Sequence, residues 1–351
     1  MSIEVLLRRQ PGWLAGNGPD ADIVFSSRLR LARNLAGELF TLRSSDDDRR
    51  RRFKQVWEAA RGCPGLGRAI GVELEEISDL DCEFLVERRL ISPELSGRLQ
   101  GGVIIGQKEM VSLMVNEEDH LRVQVILPGF VLDQCWKAID LVDTGLGVNL
   151  DFEFDDCLGY LTACPSNVGT GMRASVMLHL PVLGMSGAIG KVFRASQKLG
   201  LAVRGLYGEG SDVRGNLYQF SNQATLGRTE REMISDLSRI VGKIVAYERE
   251  ARRQFLEKGK IRVEDRVYRD LGLLTGARLL NSTETAGGLS GLRIGVDLGI
   301  LPESWRELIN ELFIITQPAH LQKMAGDELD ARDRDVFRAE LVRSRLEKAA
   351  R

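Results

Sequence analysis

Asn116-Glu117-Glu118-Asp119-His120-Leu121-Arg122 lies inside a run from Val103 to Leu127 whose side chains alternate, most clearly in Leu121-Arg122-Val123-Gln124-Val125. Apolar and polar residues in alternation mark a strand that buries one face. Pro128-Gly129 ends the run. Glu118 and Arg122, four residues apart along one strand, are expected on the same face. Taken alone, Glu118 reads equally well as a surface acid at a strand end. His120 reads equally as a structural hydrogen-bonding group and as a proton carrier.

Downstream, Val131, Leu132, Cys135, Trp136, Ile139 and Val142 have the spacing of one apolar helix face, with Gly145 as the stop. Phe152 and Phe154 mark a short strand. Leu161 to Leu180 reads as strand, loop, strand, and a helix is expected from about Ser186 to Leu199. Gly205, Gly208, Gly210 and Gly215 then crowd together, the composition of a loop. Thr229 and Glu232 form a capping box. Behind it Met233, Ile234, Leu237, Ile240, Val241, Ile244 and Val245 keep helical period.

Upstream, residues 1–20 are irregular, with Pro11, Gly16, Gly18 and Pro19 as breakers. Asp46, Asp47 and Asp48 precede Arg49 to Arg52, acid first and base later, as a helix dipole favours. Those arginines fit a solvated helix face or a nucleic-acid patch. After Glu250 the strand signals vanish, and Arg, Glu, Leu and Ala dominate. The division expected is residues 1–20, residues 21–251, and a helical domain over 252–351 broken by the glycine-rich stretch from Thr285 to Gly299.

The chain has 351 residues, 43% hydrophobic and 28% charged, close to soluble globular averages. A formal net charge of −2 gives no global basic field for nucleic acid. The five cysteines form no CxxC pair and no Cys/His cluster with zinc spacing. No apolar run has membrane-spanning length, and no signal-peptide pattern is present. These features imply a reduced, cytoplasmic protein with no nucleic-acid or membrane partner. Gly184 to Lys191 fails as a Walker A loop, because its glycine spacing is wrong and Val192 replaces the magnesium-binding Ser or Thr. HRD and DFG are absent as a pair.

Four segments occur in order: Ser26-Ser27-Arg28-Leu29-Arg30, then Asn116 to Arg122, then Cys164-Pro165-Ser166-Asn167-Val168-Gly169-Thr170-Gly171-Met172-Arg173, then Arg204-Gly205 before the glycine-rich loop. Together they resemble the ATP:guanidino phosphotransferases, and most nearly the bacterial protein-arginine kinases (McsB-type). That resemblance implies an α+β fold: a phosphagen-kinase-like catalytic domain, its antiparallel sheet flanked by helices, followed by an all-helical domain for phosphoarginine binding and dimerisation. It implies Glu118, Cys164 and Glu209 as catalytic residues, the two glutamates holding the acceptor guanidinium and the cysteine tuning it. It implies an ATP site made of Ser26, Ser27, Arg28, Leu29, Arg30, Arg122, Arg173, Ala174, Ser175, Val176, Met177, Arg204, Gly205, Leu206, Tyr207 and Gly208. Magnesium would arrive with the nucleotide, with no protein ligand of its own. Arg89 stands before Leu90-Ile91-Ser92-Pro93 where some relatives carry a nucleotide-contacting histidine.

The chemistry fits the residue types. A guanidinium stays protonated at physiological pH, and its planar fork pairs with carboxylates. Its phosphorylation therefore requires carboxylates beside a cage of cations for ATP. Taken singly, Cys164 reads also as an inert core residue, and each arginine as a surface ion pair. Arg334-Asp335-Val336-Phe337-Arg338-Ala339 resembles the allosteric phosphoarginine pocket of the same kinases, though on pattern alone it is also an exposed charged helix. The resemblance further implies arginine-bearing protein substrates, a zinc-containing activator, a Clp-type ATPase, a role in stress response and a homodimer. The rival readings are a kinase of free arginine or another guanidino metabolite, and a catalytically silent phosphoarginine-binding adaptor.

Overall fold

The computed structural model describes residues 3–98, 100–205 and 214–350. Its strands are β1 (Val24–Arg33), β2 (Ile70–Glu73), β3 (Gly102–Ile105), β4 (Val111–Val115), β5 (Leu121–Pro128), β6 (Phe154–Asp155), β7 (Gly159–Tyr160), β8 (Met172–His179), β9 (Leu201–Gly205) and β10 (Leu217–Asn222). Eight of them make one antiparallel sheet in the order β2-β3-β4-β5-β1-β8-β10-β9, while β6 and β7 pair separately.

The helices before the sheet ends are α1 (Glu4–Leu7), α2 (Asp46–Arg61), α3 (Asp79–Glu87), α4 (Pro93–Ser96), α5 (Leu132–Gly147), α6 (Pro181–Met185) and α7 (Ile189–Lys198). After it come α8 (Glu230–Gly276), α9 (Ser282–Asp297), α10 (Trp305–Ile315), α11 (Pro318–Ala325) and α12 (Ala331–Ala349). Local sequence starts several of these. Ser45 with Asp48, Thr229 with Glu232 and Asn281 with Glu284 each form a complete capping box, satisfying amides that a helix start leaves open.

The two faces of the sheet have opposite chemistry because β residues alternate. Leu29, Leu31, Val123, Val125, Ala174 and Val176 are fully buried and join one core with Cys135, Ile139 and Val142 of α5 and Leu237 and Val241 of α8. Each such side chain contributes roughly 1.5–3 kcal/mol by leaving water. On the other face, register sets Arg30 opposite Arg173 of β8 and Gln124 of β5, and Arg28 opposite Ser175 and Ile126. A second core joins the C-terminal helices to the sheet's far end. Trp13 packs on Phe25 and Phe25 on Phe313 of α10, with ring centroids 6.0 and 6.2 Å apart.

Two local expectations differ from what is observed. The stretch from Thr285 to Gly299 does not break the helical region: Ser282–Asp297 is α9 itself. Its glycines let α8 come close, since a Cβ at Gly291 would lie 1.9 Å from Asp270 Oδ2, one at Gly295 2.5 Å from Val267, and one at Gly288 2.9 Å from Leu274. Tertiary contact here outweighs the poor helix propensity of glycine. Residues 1–20 are not wholly irregular, because α1 and the turn Gly12–Leu14 bury Leu6, Trp13 and Leu14. Residue 252 falls within α8, whose one non-helical residue is Gly259.

Candidate active site

Above the polar face of the sheet lies a cleft of about 590 Å³, within the size range of small-ligand sites. Arg28 and Arg30 of β1, Arg122 of β5, Arg173 of β8 and Arg204 of β9 all line it, with Glu118 and Cys164. The sheet thus gathers five arginines from four strands onto one surface. Burial, then repulsion from Arg89, Arg173 and Arg122, pushes Arg28 down to about 9. Arg30 is likewise lowered well below its ordinary value, by burial first and then by Arg28, Arg122 and Arg173, with Glu117 opposing. Guanidinium groups do not give up their proton at working pH. These shifts report burial first and, after it, the crowding of like charge. The Arg30 Nε is buried with no hydrogen-bond partner among the described residues. A polyanion would supply both the charge and the acceptor.

The segment Asn116 to Arg122 divides its work residue by residue. Residues 116–120 form the turn between β4 and β5, closed by Asn116 N–H donating to the His120 carbonyl. Asn116 takes φ 61°, a left-handed conformation that asparagine tolerates. Its side chain donates to the Arg49 and Gln100 carbonyls and accepts from Arg52 at 2.7 Å. Glu117 is buried, pairs with Arg122 at 2.5 Å and accepts from Ser92 Oγ at 2.6 Å. Buried Asp119 accepts from Asn34 Nδ2 and from the Ala163 amide at 2.6 Å. His120 Nδ1 accepts from the Leu35 amide, so Nε2 carries the proton and donates to the Leu39 carbonyl. Burial, then Arg52, pushes His120 down to about 4, and it stays neutral. Of its two sequence readings, the structural one describes what it does.

Glu117 and Glu118 both line the cleft, but only Glu118 of the two is exposed, its side chain 40% open to solvent against 1%. It precedes β5 rather than lying on it, so the expectation of one strand face for Glu118 and Arg122 does not hold. The turn still brings its carboxylate 3.4 Å from Arg122 and 3.4 Å from Asn167 Nδ2. Cys164 follows the Ala163 amide that Asp119 holds, and its Sγ lies 3.0 Å from Ser166 Oγ. Thr225 Oγ1 anchors this loop by donating to the Ser166 and Val168 carbonyls. Cys63 and Cys135 are pushed up to about 11 and 12 by burial, whereas Cys164 is partly open to solvent.

The other expected ATP residues divide by strand alternation. Ser175 bonds Arg28 Nε at 3.3 Å, and Gly205 lines the cleft. Ser26 and Met177 line an adjoining apolar chamber with Trp13, Phe25, Ile126 and Phe313, and Arg28 and Arg89 border both spaces. Leu29, Ala174 and Val176 point into the core, and the Ser27 hydroxyl joins the Gly129 carbonyl to the Val131 amide. Leu206, Tyr207, Gly208 and Glu209 lie outside the described residues. Sequence reasoning did not single out Glu117, Asp119 or Asn167. Their signal was membership of the quoted motifs, without anything to distinguish a buried holder from a group facing substrate. No group of three or more His, Cys, Asp or Glu side chains among the described residues could hold a metal ion.

Arg334, Asp335 and Arg338 of α12 border a second cavity, of about 330 Å³, with Asn281, Ser282 and Thr283 at the start of α9 and Pro318 at the start of α11. Arg338 is buried. Its Nε donates to the Thr316 carbonyl at 2.8 Å and its Nη1 to the Leu280 carbonyl at 2.8 Å and to Asp335. Arg334 Nη1 donates to the Leu329 carbonyl. Val336 faces solvent, Phe337 is half-buried and Ala339 is buried.

Two family models match the chain: the C-terminal catalytic domain of ATP:guanido phosphotransferases over residues 54–251, and the protein-arginine kinase McsB C-terminal domain over residues 260–351. A protein-arginine kinase of Symbiobacterium thermophilum is 45% identical over 98% of this chain and 98% of its own. That of Bacillus subtilis is 43% identical over 95% and 93%, and that of Moorella thermoacetica 46% over 97% and 98%. Among solved structures, the duplicated taurocyamine kinase from Schistosoma mansoni with bound transition state analog components aligns with a TM-score of 0.61 and 28% identity, covering 70% of this chain and 35% of that one. A lombricine kinase aligns with a TM-score of 0.58 and 25% identity, over 72% and 71%.

Proposed function

This chain belongs to the ATP:guanido phosphotransferases and, within them, to the protein-arginine kinases, and we propose how its cleft transfers the ATP γ-phosphate to arginine residues of proteins. The observation that carries the proposal is the meeting of five arginines from four strands with one open carboxylate and one accessible thiol. Arg28, Arg30, Arg122, Arg173 and Arg204 hold the phosphates in the cleft. Phosphoryl transfer needs positioning and charge neutralisation more than covalent help. A preorganised arginine sheet meets that need with little reorganisation.

Glu118, with Glu209 of the segment outside the described residues, takes the fork of the acceptor guanidinium and lines it up with the γ-phosphorus. A guanidinium nitrogen forms the new N–P bond, the bond from that phosphorus to the bridging oxygen breaks, and ADP leaves. The nitrogen's proton passes to a carboxylate. Cys164 lies beside the acceptor and tunes its charge rather than forming a bond to it. Magnesium would arrive with the nucleotide and would supply further charge neutralisation, with no protein ligand of its own.

The division into residues 21–251 for catalysis and 252–351 for phosphoarginine sensing belongs to the same proposal. So do the allosteric role of the Arg334 to Ala339 segment, the homodimer, the cytoplasmic location, the stress role, the zinc-containing activator and the Clp-type ATPase partner. These rest on the resemblance. Incubation with ATP and either an unfolded protein or free arginine tests the acceptor: acid-labile phosphate is expected on protein arginines. Phosphate only on free arginine would overturn the reading. Arg334→Ala with Asp335→Ala is expected to abolish phosphoarginine binding with basal transfer retained.

A further inference from the structure

The segment from Leu39 to Ser44 is built inside out. Its polar backbone is gripped from below: the Leu39 carbonyl accepts from His120 Nε2 at 2.8 Å, Ser44 Oγ at 2.8 Å and Arg52 Nη2 at 3.3 Å. The Thr41 carbonyl accepts from Arg49 Nη2 at 2.8 Å, and Thr41 itself is buried. Its apolar side chains go the other way. Leu39 is 62% exposed, Leu42 72% and Phe40 38%. A loop held only for stability would turn its leucines inward, where each contributes roughly 1.5–3 kcal/mol.

Position supplies the occupant. Leu42 borders the same cleft as Glu118 and Cys164. His120, which grips this loop, and Glu118, which faces the acceptor, belong to one five-residue turn. The distance between apolar segment and acceptor carboxylate is therefore set by a single rigid piece of backbone. Beside it, the β6–β7 hairpin is tied on by the Leu35–Phe152 bridge and by the Gly37 amide to Glu153, and it adds exposed Phe154 and Leu158. An arginine that reaches Glu118 from a polypeptide must lay its flanking residues across this rim.

Resting on the protein-acceptor reading above, we propose that Leu39, Phe40 and Leu42 form a docking rim for apolar residues flanking the target arginine in an unfolded polypeptide. The rim selects chains whose core residues are exposed, with no need of a sequence motif. A rim of leucines and a phenylalanine binds by burial alone and is tolerant of which apolar residue arrives.

The test compares two acceptors with the full chain and its Leu39→Asn/Leu42→Asn variant: a permanently unfolded protein, and a short arginine peptide flanked by glycine and serine. KM for the unfolded protein is expected to rise about tenfold in the variant, with kcat unchanged and the peptide altered by less than about twofold. Equal losses on both acceptors, or none on either, would overturn the rim. A change in oligomeric state by analytical ultracentrifugation with KM unaltered would also overturn it, assigning the patch to a second copy. Failure of the unvaried chain to modify the unfolded protein while it modifies the peptide would break the protein-acceptor reading instead, and the rim with it.

Discussion

Arg30 and Arg338 carry the same guanidinium into two differently built places. Around Arg338 the fold supplies acceptors, with the Thr316 and Leu280 carbonyls and the Asp335 carboxylate in direct contact. Around Arg30 it supplies mostly more positive charge, with Arg28, Arg122 and Arg173 as neighbours and an Nε that has no acceptor among the described residues. A compensated arginine is a clamp between α12 and the loops before α9 and α11. Arg30, whose Nε lacks an acceptor among the described residues, faces a cleft that is left to an anion. The contrast separates structural from functional arginines without reference to motif, and it shows the C-terminal cavity to be partly closed by its own residues. Arg334 and the starts of α9 and α11 are left to meet a ligand there.

The comparison breaks most decisively at the cleft. Arg30→Met should lower kcat/KM by about 10³-fold, the scale of losing a preorganised charge at the transferring group, with Tm equal or higher because a repulsive charge is gone. A fall in Tm in differential scanning calorimetry would make Arg30 a clamp like Arg338. Glu118→Gln should lower kcat about 10²–10³-fold with the fold intact, the range for a lost general base. Transfer at the original rate in single-turnover kinetics removes that carboxylate from the mechanism.

Arg338→Ala should act the other way round, costing about 3 kcal/mol of stability by leaving buried acceptors unpaired. Arg334→Ala should cost less than about 1 kcal/mol, as for a group at a cavity edge. Urea unfolding of the two variants decides it, and equal losses would erase the distinction between them. Occupying the cleft should stabilise the protein. A nucleotide at 100 times its Kd should add about 2.7 kcal/mol, and Arg30→Met should lose most of that gain.

The smallest effect concerns pH. His120 has a folded pKa of about 4, below its ordinary 6.5. Its neutral form is the folded one, so its contribution is fully present above 6.5 and is lost as pH falls from there through about 4. Stability against urea should therefore slope downward over that window, and His120→Asn should flatten the slope by up to about one proton. An unchanged slope would place the acid sensitivity at His179 or His320, both also lowered by burial.

Much of the fold was legible because it is local. The capping box at Thr229, the helical period behind it and the alternation through Leu121 to Val125 each fall where their patterns indicate. The exceptions have a common cause. The glycines of α9 read as a break, yet they allow α8 to approach, a contact with residues some twenty positions away in sequence. Glu118 reads as a strand residue only because alternating segments flank it; the five consecutive polar residues from Asn116 to His120 interrupt that period and form the turn.

Residue types and order in the chain by themselves determined the chemistry: carboxylates, a cysteine and arginines in four segments, enough to name guanidinium as the acceptor. Only the tertiary structure decided which of those groups stay available. Glu117, Asp119 and His120 sit beside Glu118 in sequence, but each is engaged with a neighbour from a distant segment: Ser92, Asn34 and Leu35. The physical reason is that burial and internal hydrogen bonding, which decide whether a polar side chain can reach a ligand, are set by register and packing across the sheet.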